Sequence, residues 1–106
     1  MIVTPAAGIA GYRIEKTLGL VRGNTIRARH MGKDILAGLK NLVGGEIEEY
    51  TKMMAEAREQ SIDRMVAEAS ELGANAITDV RFSTSYMMGA ASEILVFGNA
   101  VFVEPE

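Results

Sequence analysis

One long amphipathic segment between two glycine-containing stops constrains the fold of this 106-residue chain more than any other feature. Gly44-Gly45 precedes it and Leu72-Gly73-Ala74-Asn75 follows it; glycine takes the left-handed conformation that ends helices at no steric cost. The spacing predicts one helix from about Glu46 to Leu72, ~40 Å long at 1.5 Å per residue. Its buried stripe, at spacings of three or four, would be Ile47, Tyr50, Met54, Ala57, Ser61, Met65, Ala69 and Leu72.

The residues before this helix predict a strand and a second, shorter helix. From Tyr12 to Arg29 the alternation of residue types predicts an extended chain. Because the apolar residues fall on one side, it predicts a half-buried strand. The apolar side holds Tyr12, Ile14, Leu18 and Leu20. Gly23-Asn24 interrupts the pattern and predicts either a two-residue hairpin turn or a bulge in one long strand. From about Gly32 to Val43 the apolar spacing becomes helical.

Two further strands are predicted after Gly73, and the last of them is apolar on both sides. The two sides hold Ile94, Val96, Ala100 and Phe102, and Leu95, Phe97, Val101 and Val103. The sequence therefore predicts a two-layer α+β fold in a single domain over residues 1–106, with an antiparallel sheet packed on a short and a long helix. Because one helical layer covers one sheet face, the other face must be covered by a second copy or by a folded-over strand.

The composition is that of an ordinary globular protein, with 48% hydrophobic and 24% charged residues. The chain has no cysteine, which excludes disulfides and thiolate metal sites and suits a reducing compartment. The N-terminus lacks a basic lead with a long apolar core, and the longest strongly apolar run, Ile94 to Phe97, is far too short to span a membrane. We expect a cytoplasmic protein.

The charge is distributed unevenly around the net value of −3. Residues 1–45 carry a net +5 and residues 46–106 a net −8. This asymmetry indicates either an anion-binding surface or basic strands paired with acidic helices. Within the basic part, Arg27 and Arg29 share a strand face, and guanidinium groups suit phosphate or carboxylate ligands. A pI of about 5.2 and the lack of interleaved aromatic residues argue against nucleic acid as the partner.

His30 and Asp34 are the candidate ligands for a divalent metal ion. They are four residues apart at the start of the predicted short helix, so both could reach one ion if helical geometry already holds at His30. The alternative is that His30 is an ordinary residue at the end of a strand. No nucleophile with a histidine partner can be assembled from local spacing, so the sequence supplies no catalytic residue.

Motifs spread over residues 9 to 103 resemble those of the YbjQ family. They are Gly23-Asn24, Arg27-Ala-Arg-His30, Asp34-Ile-Leu-Ala-Gly38, Val43-Gly-Gly-Glu46, Tyr50, Ala57-Arg-Glu59, Leu72-Gly-Ala-Asn-Ala76 and Phe97-Gly-Asn-Ala-Val101. The resemblance implies a bacterial or archaeal protein with a dodecin-like β-α-β-β subunit that assembles as a homopentamer. The family is labelled heavy-metal-binding, on the basis of structural comparison, so the resemblance also implies metal binding. Asn99 departs from the family pattern, which usually has threonine there.

Three functions follow as hypotheses from the sequence. The first is a homopentameric binding or scaffolding protein whose ring repeats a metal site at His30 and Asp34. The second is a binder of anions or small phosphorylated ligands at a subunit-interface arginine cluster, through Arg27 and Arg29. The third is an enzyme of unrecognised type at a subunit interface.

Overall fold

The computed structural model describes residues 1–28, 45–87 and 91–106. Within these residues one helix, α1, lies on one face of a four-stranded sheet with strand order β1-β3-β4-β2. The elements are β1 (Ile2–Val3), β2 (Tyr12–Ala28), α1 (Gly45–Glu71), β3 (Ala76–Met87) and β4 (Ala91–Pro105).

The two-layer α+β prediction is confirmed, with one correction to the sheet. It is mixed rather than antiparallel, because β1 runs parallel to β3 while β2 and β3 both run antiparallel to β4. β1 is two residues long, too short to produce a recognisable period in the sequence. The predicted short helix over residues 32–43 lies outside the described residues.

The predicted stripe of α1 is buried where it lies over the sheet. Ala57, Ser61, Met65 and Ala69 each have 0% exposure. Leu72 was wrongly predicted to be buried: it is 46% exposed, because the helix ends at Glu71 and the chain turns away there.

The C-terminus of α1 is capped by a Schellman motif. Gly73 has φ +85°, its N–H donates to the Ser70 carbonyl, and the N–H of Ala74 donates to the Ala69 carbonyl, each at 3.0 Å. This pair of bonds satisfies carbonyl groups that a helix end otherwise leaves unpaired. The predicted stop at Gly73 is thereby explained at the level of individual hydrogen bonds.

Strand β2 is continuous through Gly23-Asn24, so both the predicted hairpin and the predicted bulge at that point were wrong. The register with β4 is regular there, and it shifts instead between Ile14 and Lys16 and between Thr17 and Gly19. Gly23 has a different role. A Cβ at this position would overlap the Ser61 carbonyl oxygen and lie 2.6 Å from the Met65 backbone nitrogen. Glycine is therefore what lets the α1 main chain pack directly against β2.

The main core lies between α1 and the sheet. It contains Val21, Met65, Ala69, Ile77, Val80, Val96 and Ala100. Two hydroxyl groups, those of Ser61 and Thr25, are buried in the same layer. The Ser61 hydroxyl bonds to the Thr25 hydroxyl at 2.8 Å and also lies within hydrogen-bond distance of the Ala57 and Ile94 carbonyl oxygens. Because the Ser61 hydroxyl has these partners, its burial leaves no unpaired donor.

A second, smaller cluster lies on the opposite face of the sheet, where the N-terminal segment folds over β4. Ile9 packs there on Ala76, Val101 and Val103. The segment is held by main-chain bonds to β3, including Thr4 N–H to the Ile77 carbonyl at 3.0 Å. Part of the second face of β4 is therefore covered by the chain itself, through a segment that is not a strand at Ile9, and the predicted choice between a second copy and a folded-over strand stays a prediction.

Candidate functional site

The residues proposed from the sequence as ligands lie at and beyond the end of β2. Arg27 is in β2 and pairs in register with Ser92; its side chain lies outside the described part of the structure. Arg29, His30 and Asp34 lie outside the described residues altogether. The pairing of His30 with Asp34 and of Arg27 with Arg29 therefore stays a prediction. Over residues 1–28, 45–87 and 91–106, no group of three or more His, Cys, Asp or Glu side chains is placed to hold a metal ion.

The clearest functional feature of the described residues is the sheet face opposite α1, which we call the open face. On β2, Val21, Gly23 and Thr25 are buried under α1, so their alternating neighbours point to the open face. Two of those neighbours are large and apolar: Leu20 is 63% exposed and Ile26 is 54% exposed.

Two residues of the apolar side that the sequence pattern singled out on β2, Ile14 and Leu20, thus lie on the open face. Ile14 pairs with Val103, and Leu20 pairs with Asn99; directly opposed residues share a face. Each of the two register shifts in β2 adds one residue, so together they keep Ile14 and Leu20 on the same side of the sheet. Leu18 lies at the second shift and packs against the main core instead. The sequence predicted a half-buried strand with this apolar side buried; in the single chain Leu18 meets that prediction, whereas Ile14 is 44% exposed and Leu20 is 63% exposed.

A row of three side chains crosses the open face at its centre. Arg22 on β2 pairs with Phe97 on β4, which pairs with Arg81 on β3. Phe97 is half-buried and both arginines are exposed. Arg81 donates to the Pro5 carbonyl at 2.9 Å, so its guanidinium is anchored on the N-terminal segment. Arg22 makes no ion pair with any other described residue.

A bulge in β3 beside this row carries a polar cluster that sequence reasoning missed. Asp79 has φ 55°, in the left-handed region that Asp tolerates better than most residues. Its carboxylate accepts from the Asn99 amide at 3.1 Å and from the Thr78 hydroxyl at 3.2 Å. The departure of Asn99 from the family pattern was the available signal, and it falls on the residue that bridges the bulge.

An open depression of about 510 Å³ lies along α1, away from the sheet core. Its lining carries both signs of charge and so indicates no single class of charged ligand. The lining residues are Lys52, Ala55, Glu56, Arg58, Glu59 and Gln60. In the described part of the chain, no helix is long and apolar enough to cross a membrane.

Comparison with known proteins places this architecture in a family. The model of the YbjQ family, described as "Putative heavy-metal-binding", matches residues 1–104. A UPF0145 protein of Dehalococcoides mccartyi strain 195 is 64% identical over 98% of this chain and 100% of its own length. A UPF0145 protein of Methanosarcina acetivorans is 54% identical over 95% of each chain.

A solved structure agrees at the level of the fold. It is a protein of unknown function of the DUF74 family from Pediococcus pentosaceus, with a TM-score of 0.65 over 98% of both chains and 17% sequence identity. The two chains thus share the fold. The chain belongs to the YbjQ family, and the predicted resemblance is confirmed.

Proposed function

We propose that this protein is a non-enzymatic binding or scaffolding protein that assembles as a homopentamer in the cytoplasm, and that its ring presents a repeated metal-ion site. The observation that carries the self-association is the open face. Leu20 and Ile26 leave more than half of their surface in water, although they belong to a strand whose pattern calls for a buried side. A second copy on this face would remove that apolar surface from water, worth ~25 cal/mol per Å².

The dimensions of the chain support the same proposal. The Cα radius of gyration is 17.3 Å, against ~13 Å for a compact domain of about 100 residues. The longest extent is 57 Å, close to the ~56 Å that a 17-residue strand such as β2 spans at 3.3 Å per residue. An elongated chain buries less of its own surface than a compact one, and neighbouring copies would supply the missing cover.

The metal site proposed for the ring uses His30 and Asp34. One imidazole and one carboxylate per chain are too few for a closed site of four ligands, but a fivefold ring would multiply each of them. The family description names heavy metals, and imidazole is a ligand such metals accept. The absence of cysteine means that any such site is built from nitrogen, oxygen or thioether donors.

Equilibrium binding of Zn²⁺ to the purified protein tests the metal site. We expect Zn²⁺ affinity to be lost or to fall at least ten-fold in His30→Ala and in Asp34→Asn. Mutating a residue that only hydrogen-bonds to a metal ligand already lowers metal affinity by about ten-fold or more, so removing a ligand should cost at least as much. Asp63→Asn is the matched control, since Asp63 is an exposed carboxylate elsewhere on α1 and its loss should change nothing. No bound metal in the wild type, or an unchanged affinity in His30→Ala, would remove this function.

An anion or a small phosphorylated ligand is the second candidate, bound through Arg27 and Arg29. The charge of the N-terminal part favours it, because residues 1–45 carry a net +5 and guanidinium groups suit phosphate and carboxylate ligands. Binding of inorganic phosphate that weakens strongly with salt and fails in Arg27→Ala would support this candidate over the metal site. Arg58→Ala, on the exposed face of α1, is its control.

A further inference from the structure

We propose that Arg22 and the apolar side chains around it on the open face bind a small aromatic oxyanion, with its carboxylate or phosphate group on the Arg22 guanidinium and its ring on Phe97. All of these side chains belong to one chain, so the site goes beyond the proposed function and does not depend on it. Arginine suits an oxyanion because its planar guanidinium pairs with carboxylate or phosphate through two parallel hydrogen bonds.

Strand register surrounds Arg22 with apolar side chains. Arg22 pairs directly with Phe97 on β4, and directly opposed residues project from the same face of a sheet. Leu20 precedes Arg22 by two residues on β2, and Leu95 precedes Phe97 by two residues on β4, so both share that face. Phe97 and Leu95 are half-buried, whereas Arg22 and Leu20 are exposed. Arg22 is thus a cation set in an apolar surface, which complements a ligand that joins an apolar body to an anionic group.

The Arg22 guanidinium is available to a ligand. Arginine carries five N–H donors, and the Arg22 side chain makes no hydrogen bond or ion pair with any other residue in the described part of the chain. The side chain can therefore turn to a ligand without breaking a contact that those residues make. Charge-assisted hydrogen bonds of this kind are also roughly twice as strong as neutral ones.

Three other charged side chains along the open face already have hydrogen-bond partners. The Arg81 guanidinium donates to the Pro5 carbonyl at 2.9 Å. The Asp79 carboxylate accepts two hydrogen bonds, and the Glu93 carboxylate accepts one from an asparagine amide. None of the three forms an ion pair with Arg22. The charge of Arg22 is therefore left without a counter-charge among the described residues.

The proposed assembly would favour the same ligand. A second copy that covers Leu20 and Ile26 also covers Arg22, which lies between them on β2. Removing a guanidinium group from water is costly unless an anion pairs with it. An oxyanion with an aromatic body supplies that charge and adds apolar surface to the contact.

Calorimetric titration of the purified protein with phenyl phosphate and with inorganic phosphate tests the site, because phenyl phosphate joins the oxyanion to an aromatic ring. We expect phenyl phosphate to bind ~2–10-fold more tightly than inorganic phosphate, which is the contribution of one aromatic pair. In Arg22→Gln we expect the affinity for phenyl phosphate to fall at least ~10-fold, because hydrogen bonds between charged groups are lost. Arg58→Gln is the matched control, since Arg58 is an exposed arginine on α1. An unchanged affinity in Arg22→Gln, or no binding by the wild type, overturns the inference.

Phe97→Leu separates the contribution of the ring from that of the charge. Leucine keeps an apolar side chain at this position and removes the aromatic face. We therefore expect the variant to lose most of its preference for phenyl phosphate, while inorganic phosphate binds as before. A preference that survives in full contradicts the placement of the ring on Phe97. Binding that fails in Arg27→Ala but not in Arg22→Gln would belong to the second candidate site and overturns this inference.

Modification of arginine by phenylglyoxal in the wild type keeps the inference testable if Arg22→Gln fails to fold. We expect phenyl phosphate to slow the modification of Arg22 and to leave that of Arg58 unchanged, as read by mass spectrometry of peptides. Equal rates at Arg22 with and without phenyl phosphate overturn the inference. Native mass spectrometry of the same samples gives the subunit number. A monomer that binds phenyl phosphate overturns only the proposed self-association, and an oligomer that does not bind it overturns only this site.

Discussion

Gly23 lets the main chain of α1 lie against β2 with no side chain between them. The position a Cβ would take is already filled by the Ser61 carbonyl oxygen, with the Met65 nitrogen 2.6 Å away. Both clashing atoms belong to the helix backbone and cannot move aside as a flexible side chain could. The requirement at this position is therefore steric, and the φ of Gly23 plays no part in it.

At the residue scale we predict that Gly23→Ala destabilises the fold by ~1–3 kcal/mol, the usual cost of overpacking a filled core. Urea unfolding followed by circular dichroism measures it. Gly8→Ala is the matched control, because nothing lies within 4 Å of a Cβ built there, and it should change stability by less than ~0.5 kcal/mol. Equal stability of the two variants would show that α1 does not pack on β2 in this way.

The sequence pattern singled out Gly23-Asn24 but predicted a hairpin turn or a bulge there, whereas the structure shows close approach of α1 to Gly23. Glycine has two uses, positive φ and close approach, and a local pattern favours the first because the second depends on Ser61, which lies 38 residues further along the chain. Asp79 shows the same limit. Its left-handed φ breaks the alternation of β3, and nothing in the local residue order distinguishes it from a regular strand position.

At the element scale, the end of α1 and its connection to β3 depend on Asn75 as well as Gly73. The Asn75 amide donates to the Val103 carbonyl at 2.8 Å, and its oxygen accepts from the Val103 N–H at 2.8 Å. The side chain thus pairs with β4 as a strand backbone would. It extends the sheet by one step while the Schellman motif turns the chain.

We predict that Asn75→Ala costs ~1–3 kcal/mol, since two hydrogen bonds are lost and the Val103 backbone groups are left unpaired beside a buried side chain. Thermal unfolding measures the change. Asn75→Asp keeps the acceptor and removes the donor, so we expect an intermediate loss. No loss in either variant would mean that the Val103 groups find other partners.

The long helix and its stop were predictable because their signals are local: spacing of three and four, acidic residues in the first turn, and a glycine at the end. The apolar side of β2 was also identified, but which layer would cover it was not. Strand periodicity shows that two faces differ and leaves open which one receives the helix. The helix packs on the side of β2 that offers little apolar surface, which is formed by Val21, Gly23 and Thr25. It packs there because Gly23 lets the α1 main chain come close to the strand.

At the scale of the whole molecule, the chain covers one sheet face with α1 and part of the other with its N-terminal segment. Leu20 and Ile26 remain outside both layers. The candidate site residues His30 and Asp34 were selected by residue type and spacing alone, and the described residues add no metal-ligating cluster that would replace them. The metal-binding function proposed for them therefore depends on the proposed assembly.

Native mass spectrometry of the wild-type protein at micromolar concentration tests the central claim that this chain is completed by copies of itself. Five copies of the 11.4-kDa chain give a mass of about 57 kDa, and we expect that species, with any retained metal ion seen as added mass. A stable, folded species at the mass of one chain would contradict the account, because Leu20 and Ile26 on the open face would then stay in contact with water.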